Sequence, residues 1–292
     1  ENVLNRWLIP GTNNKAETRK SLNGREMQGR KGIGRFAASI LGNEFILKTT
    51  DSEKNTTIIQ LDWKEFNSKK FLDEIDIDIK TETIGRPQGT EIIIKPNEKV
   101  ENWNKETIER LIEELRKMIS PVKTKNEGFS VVLKCNNIGF EEFENYNYQM
   151  EAIPVLDYFD YRLYGTADEM GNVDLTFING IEKGLPPKKI FFRSAILNGS
   201  LQAPIKIDFR VFDRDPESIE SLISRGSLGI DKRKTKKLLD KLCGISIFRG
   251  GLRIRPYGDP GYDWLELDKK RVQDPSRFVG SNQIVGMIEI EE

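Results

Sequence analysis

Apolar positions after residue 43 gather into short runs of strand length, set among polar residues. Stretches 44–50, 56–62, 75–80 and 90–95 read as strands, and in the third Ile75, Ile77 and Ile79 alternate with acids as in a half-exposed strand. Two segments switch to helical spacing. Ahead of the strands, Phe36, Ala37, Ile40 and Leu41 predict a short helix over 33–41, with Gly32 and Gly34 at its entrance and Gly42 as its stop. After them, Ile108, Leu111, Ile112, Leu115 and Met118 mark a longer helix over 104–119, which Pro121 ends.

Further along, strands are predicted at 130–135, 161–165, 173–179 and 205–213. A basic helix over 231–242 follows, with Asp231 as N-cap and Gly244 as its end. Segments 245–248 and 252–257 flank Arg249-Gly250-Gly251, a hairpin-turn sequence. The composition shifts once, near 96–130, where a helix rather than a loose linker bridges the seam. The expected class is α/β (α+β), with domains at 1–98 and 128–292 and a connecting helix within 99–127.

Composition narrows the function classes. The 292 residues are 37% hydrophobic and 32% charged, and 46 Lys and Arg balance 46 Asp and Glu. Zero net charge argues against a wholly basic nucleic-acid binder, while leaving room for a local basic patch. No apolar run reaches membrane-spanning length and no signal peptide opens the chain, so a cytoplasmic protein with no membrane partner is expected. Cys135 and Cys243 are too few for a disulfide framework or a zinc site. The chain has no histidine, which excludes a Ser-His-Asp triad, a Cys-His pair and any His-ligated metal. It opens at Glu1 without Met and closes in a strand-like run, 284–290. Both a trimmed chain and a fragment whose functional half lies upstream fit those ends.

The segment with the most chemistry is Gly29-Arg30-Lys31-Gly32-Ile33-Gly34-Arg35-Phe36, between a polar loop over 11–31 and the short helix. Glycines let backbone N–H groups approach an anion without Cβ obstruction. A helix N-terminus adds unpaired N–H groups and the positive end of a dipole, which suits phosphate. Lys31 and Arg35, with Arg30, supply charge. The Rossmann pattern has the reverse spacing, and the Walker pattern requires Gly-Lys-Ser/Thr where this chain has Gly34-Arg35-Phe36. Glycine-rich loops also cap helices without binding anything, so this segment alone leaves both readings open.

Its neighbours add a resemblance. The glycine segment resembles the second glycine box of the GHKL ATPases, the superfamily of gyrase B, the MutL repair proteins, histidine kinases and MORC proteins. Upstream, Trp7-Leu8-Ile9-Pro10-Gly11-Thr12-Asn13-Asn14-Lys15 is similar to the start of the ATP lid in the bacterial MORC-like branch. Gly29 to Gly42 resembles that branch's lid-to-helix segment nearly throughout, and Gly89-Thr90-Glu91-Ile92-Ile93-Ile94 resembles the last motif of the nucleotide domain. From about 128 to 290 the chain resembles the transducer domain. Its most specific stretch runs from Phe248 through Arg253, Arg255 and Asp259 to Trp264, and 281–286 is similar to the last core strand.

The resemblance implies the C-terminal portion of a Bergerat-type nucleotide-binding sandwich followed by a ribosomal-protein-like α/β transducer. It implies ATP as ligand, with Gly29, Lys31, Gly32, Ile33, Gly34, Arg35 and Phe36 at the phosphates. Gly11, Thr12 and Lys15 would stand in the lid, and Thr90 at the adenine edge. In the family, a Glu activates water, an Asn holds Mg2+, and an Asp-x-Gly-x-Gly segment meets adenine. This sequence has no counterpart of these, so the magnesium ligand is expected outside this chain and no catalytic residue is assigned within it. Transducers also place a Lys or Arg on the γ-phosphate, for which Lys188, Lys189, Arg271 and Arg277 are candidates.

The implied function is ATP binding and, in an intact protein, Mg-dependent hydrolysis that drives a lid and transducer switch in an ATP-gated homodimeric clamp. The alternative is a non-catalytic module that uses the fold as a scaffold for DNA or protein partners. The run Lys232-Arg233-Lys234-Thr235-Lys236-Lys237 bears on that alternative, and a solvated helix face is the better reading of it. Arg253 and Arg255 are open to phosphate or to the acids Asp259, Asp263 and Glu266. Both cysteines read as small core residues, and Trp264 as a partly buried structural residue.

Overall fold

The computed structural model describes residues 34–68, 77–83, 85–96, 103–119, 130–136, 139, 141–151, 154–182, 184–193, 203–226, 229 and 231–290. The chain forms two compact units, 1–103 and 104–292. Both mix helices with antiparallel-rich sheets, a mixed α and β architecture.

In the first unit a 3-10 turn, Gly34–Ala37, leads into α1 (Ala38–Leu41), β1 (Glu44–Thr50), β2 (Asn55–Asp62), α2 (Trp63–Ser68), β3 (Asp78–Thr83) and β4 (Gly89–Lys95). The strands form an antiparallel sheet in the order β3-β2-β1-β4. Alternation puts Phe45, Leu47, Ile59 and Leu61 on one face, buried with Trp63, and Ala38, Ile77, Ile79 and Ile94 pack against them. Each such side chain contributes about 1.5–3 kcal/mol through burial. The opposite face carries ion pairs, Glu44 with Lys95 at 2.6 Å and Lys48 with Glu91 at 3.6 Å, as a solvated face should.

The expected helix over 33–41 is therefore a 3-10 turn followed by one α-turn, and Gly42 ends it for a different reason than a left-handed cap. Its backbone is extended, with φ 177°. A Cβ at Gly42 would lie 2.0 Å from the Lys95 carbonyl oxygen, so glycine is needed for the close approach to β4.

The second unit contains α3 (Lys105–Lys117), β5 (Val132–Cys135), β6 (Tyr146–Gln149), β7 (Tyr161–Ala167), β8 (Val173–Asn179), β9 (Lys188–Phe192) and β10 (Ile205–Val211). There follow α4 (Pro216–Gly226), α5 (Lys232–Leu242), β11 (Gly244–Arg249), β12 (Leu252–Ile254), α6 (Leu267–Gln273) and β13 (Ile284–Ile290). Helix α3 starts at a capping box. Asn104 Oδ1 accepts from the Thr107 N–H, and Thr107 Oγ1 accepts from the Asn104 N–H, both at 2.9 Å. Its apolar stripe buries Ile108 and Ile112 with Phe143 and Met150. This helix falls within the second unit.

The main sheet has the order β12-β11-β13-β10-β7-β8-β9, with β11 parallel to β13 and the other pairs antiparallel. One face carries a rung that crosses all seven strands, Ile254, Ile247, Ile288, Ile207, Gly165, Leu175 and Ile190. Beside the other face, Val155, Leu156, Phe212, Ile219, Leu222 and Leu239 form a core with Val285 packed on it. Strand β10 stops two residues before its predicted end because Phe212 turns into that core and its N–H donates to the Gln283 carbonyl at 2.8 Å. The hairpin turn narrows to Gly250-Gly251, with φ 57° and 76°, because Arg249 pairs with Leu252.

Candidate functional site

Gly11, Thr12, Lys15, Gly29, Lys31, Gly32 and Ile33 lie outside the described residues. Gly34, Arg35 and Phe36 form the 3-10 turn that enters α1. Gly34 is exposed, and a Cβ placed on it would meet no atom of the described residues within 4 Å. Among those residues no packing contact accounts for a glycine there, in contrast to Gly42.

Thr90 stands at the start of β4 on the inner face. Its Oγ1 lies 3.1 Å from Thr49 Oγ1 of β1. Register extends this contact into a rung of four threonines, Thr81, Thr57, Thr49 and Thr90, one per strand. The inner face thus changes along the strands from the apolar cluster around Phe45 to a row of hydroxyls. Ile92, two residues from Thr90 on the same face, is 54% exposed. An exposed hydroxyl beside an exposed flat aliphatic surface suits a planar heterocycle with a polar edge. Glu91 points to the opposite face. Its hydrogen bond with Arg86, aided by Lys48, holds its carboxyl below the usual range.

The second unit does not gather the four candidate γ-phosphate cations. Lys188 and Lys189 lie on β9, and Lys189 is 3.5 Å from Asp174. Arg271, on α6, reaches Asn282 Oδ1 at 3.5 Å, and Arg277 lies 3.8 Å from Asp274. Arg253 and Arg255 pair with acids. Arg253 Nη2 donates to Asp259 Oδ1 at 3.0 Å, and its Nε and Nη2 both donate to the Tyr257 carbonyl at 3.1 Å. Burial lowers its pKa. Arg255 donates to Glu114 and lies 3.8 Å from Asp259. Asp263 and Glu266 are engaged elsewhere, by the Asp268 N–H and Lys269 respectively.

The basic run forms α5, where Asp231 Oδ1 accepts from the Lys234 N–H and Thr235 and Leu239 face the core. Lys232 pairs with Glu220 and Lys241 with Glu113. Cys135 and Cys243 are half-buried free thiols, and burial raises the Cys243 pKa. Trp264 is half-buried and its Nε1 donates to the Ile245 carbonyl at 2.8 Å.

Strand periodicity concealed one chemical feature, an ionic network on the helix-covered face of the main sheet. Arg162 Nε and Nη2 donate to the two oxygens of buried Asp208, at 2.9 and 2.7 Å. Arg210 donates to the same carboxylate, to Asp157 and to the Leu156 carbonyl. The signal in the sequence was charge at every second position of the strand, Lys206, Asp208 and Arg210, between apolar residues.

Among the described residues no group of three or more His, Cys, Asp or Glu could hold a metal ion. Among them, too, no helix is long and apolar enough to cross a membrane. Neither a protein-family model nor a curated protein matches this sequence.

Proposed function

We propose that this chain is the ATP-binding, lid-to-transducer part of a GHKL-type ATPase of the bacterial MORC-like branch. The first unit would be the C-terminal portion of a Bergerat-type sandwich and the second unit its transducer. The observation that carries this reading is Gly34. Among the described residues no packing contact calls for a glycine there, whereas backbone approach to phosphate would. Thr90 and Ile92 support it as an open hydroxyl-and-aliphatic surface for the adenine edge.

Gly29, Gly32 and Gly34 would lend backbone N–H groups to the phosphates, with Lys31 and Arg35 adding charge and Lys15 reaching in from the lid. Bound Mg2+ would neutralise phosphate charge, and its ligand is proposed to lie outside this chain. Hydrolysis is proposed only for a protein that also supplies the water-activating Glu. Closure of the lid over residues 11–31 would then be passed to the transducer, with ATP-dependent homodimerisation as its outcome.

The test is ATP binding by calorimetry on the intact protein and on its Gly32→Val, Gly34→Val double variant. Loss of affinity in a still-folded variant is expected. Unchanged affinity overturns the assignment.

A further inference from the structure

Within the second unit, a cavity of about 50 Å³ opens between the last turn of α3, the end of α5 and the strands β11, β12 and β13. Its charged lining is Arg116, Lys117, Lys241 and Arg253, and among the described residues no carboxylate lines it. Ser246 adds a hydroxyl, and Phe248, Val285 and their apolar neighbours form the remaining wall. That volume exceeds what a single water needs, roughly 10–15 Å³.

Three of the four cations have acidic partners. Lys117 Nζ donates to Glu114 at 3.0 Å, Lys241 pairs with Glu113, and Arg253 with Asp259. Arg116 differs. Its Nη2 donates to Tyr148 Oη at 3.0 Å and its guanidinium lies 5.2 Å from that ring's centroid, but neither contact brings a negative charge. Its Nε is buried without an acceptor, a costly state for a charged donor. Arg253 is built into the wall, its side chain 6% exposed and fixed by the Tyr257 carbonyl.

With Arg255, which bridges Glu114 and Asp259, the basic groups exceed Glu113, Glu114 and Asp259 by two positive charges. The rung of Arg253 and Phe248 continues into Glu289 and Lys206, which carry one charge of each sign and leave that excess unchanged. The carboxyl ends of α3 and α5 offset about half a charge each, so the cavity stays positive. Such groups beside apolar walls act at low effective dielectric, where an anion is attracted more strongly than in water.

We propose that this cavity binds a phosphate-sized oxyanion, either free phosphate or the head of a phosphomonoester, with Arg116 as its principal ligand. All the lining residues belong to the second unit, and the proposed binding needs no nucleotide at the glycine segment.

The experiment is titration of the full chain with inorganic phosphate at constant ionic strength, against chloride, read by calorimetry and by the thermal midpoint. Saturable binding is expected. Arg116→Gln should weaken it about tenfold or more, the loss of a hydrogen bond to a charged group. The Gly32→Val, Gly34→Val variant should leave it unchanged, which separates this site from the proposed ATP site. If Arg116→Gln does not fold by circular dichroism, Lys241→Gln at the cavity mouth replaces it, with weaker binding again expected. Glycerol 3-phosphate in a second arm identifies the source: tighter binding than phosphate points to an ester head, weaker binding to the free ion. No saturable phosphate binding, equal affinity in the cavity variants, or binding of acetate but not phosphate would overturn the proposal.

Discussion

Thr49 Oγ1 and Thr90 Oγ1 meet at 3.1 Å across the β1–β4 ladder. One of these hydroxyls donates to the other, so the pair holds each hydroxyl in a defined direction rather than leaving it to rotate freely. Thr90 is the exposed member and Thr49 the half-buried one. Thr90→Val keeps the shape and removes the hydroxyl. It is expected to change stability by less than about 1 kcal/mol, since an exposed hydrogen bond exchanges readily with water. ATP affinity should fall about fivefold to tenfold, and Thr49→Val, acting only through orientation, should lower it less. Calorimetry with urea unfolding on the same samples checks both. Two variants that bind ATP normally would remove the adenine role from Thr90.

Gly34 and Gly42 predict opposite responses to one methyl group. At Gly42 the Cβ would overlap the Lys95 carbonyl, so Gly42→Ala should destabilise the first unit by about 1–3 kcal/mol. At Gly34 the Cβ would meet no atom of the described residues within 4 Å, so Gly34→Ala should be neutral or stabilising by up to about 1 kcal/mol through the unfolded chain. If the phosphate reading is correct, Gly34→Ala should still weaken ATP binding. Urea unfolding with ATP titration of the two variants would show a stability loss without specific binding loss at one position and the reverse at the other.

Glu114 links α3 to β12 and its turn by accepting from Lys117 and Arg255. Burial raises its pKa, but these two hydrogen bonds outweigh it and leave the carboxyl below its ordinary value near 4.5. A carboxyl depressed by folding adds stability above its unfolded value, and that stability disappears as pH falls through the folded value. Glu114→Gln is therefore expected to cost about 0.5–1 kcal/mol at pH 7, discounted for an exposed pair, and almost nothing once both forms are protonated in acid. Denaturation across that range checks the sign. A constant difference at all pH values would show that the side chain acts through packing instead.

Helix α3 was legible because two signals agreed, the 3.6-residue apolar stripe and Pro121 beyond the end, while the Asn104 capping box emerged from the structure. Strands β1, β2, β4 and β8 were legible as short runs rich in apolar and β-branched residues. Helix α4 was not read, although Asp215 Oδ1 caps Glu217 and Ser218 and Pro216 occupies the first turn. Its apolar positions, Ile219, Leu222 and Ile223, are few and lie close to the preceding strand. Sheet order, and the parallel pairing of β11 with β13 across α6, depends on contacts distant in sequence that no local period encodes. At the glycine segment, residue types suggested the chemistry, and the described residues add only that none of their atoms lies within 4 Å of a Cβ on Gly34. The cation-lined cavity was not legible: Arg253 stood out as open to phosphate or to acids, but Arg116 lies 137 positions away and nothing local joins the two.

Asp160 makes the last prediction, because one buried carboxylate serves two neighbours. Its Oδ1 accepts from Arg225 Nη2, and its Oδ2 accepts from the Asp213 N–H at 2.7 Å. Arg225 Nη1 also donates to the Phe159 carbonyl at 2.9 Å, so the pair fastens α4 to the turn before β7. Asp160→Asn preserves the shape but leaves Arg225 without its counter-charge. A loss of about 3 kcal/mol is expected, the scale for removing one partner of a buried pair. The same change should alter the pH dependence. Burial first, then the charges of Asp160 and Asp215, hold the Asp213 pKa above its ordinary value near 3.8. A carboxyl raised by folding favours the native state below its unfolded pKa, and that contribution is lost as pH rises through the folded value. Removing the Asp160 charge should bring the Asp213 pKa down and narrow that window. Carbon-detected NMR titration of Asp213 in both proteins, together with urea unfolding, tests the two effects separately. A normal fold whose Asp213 titration is unmoved would mean that burial alone sets its pKa.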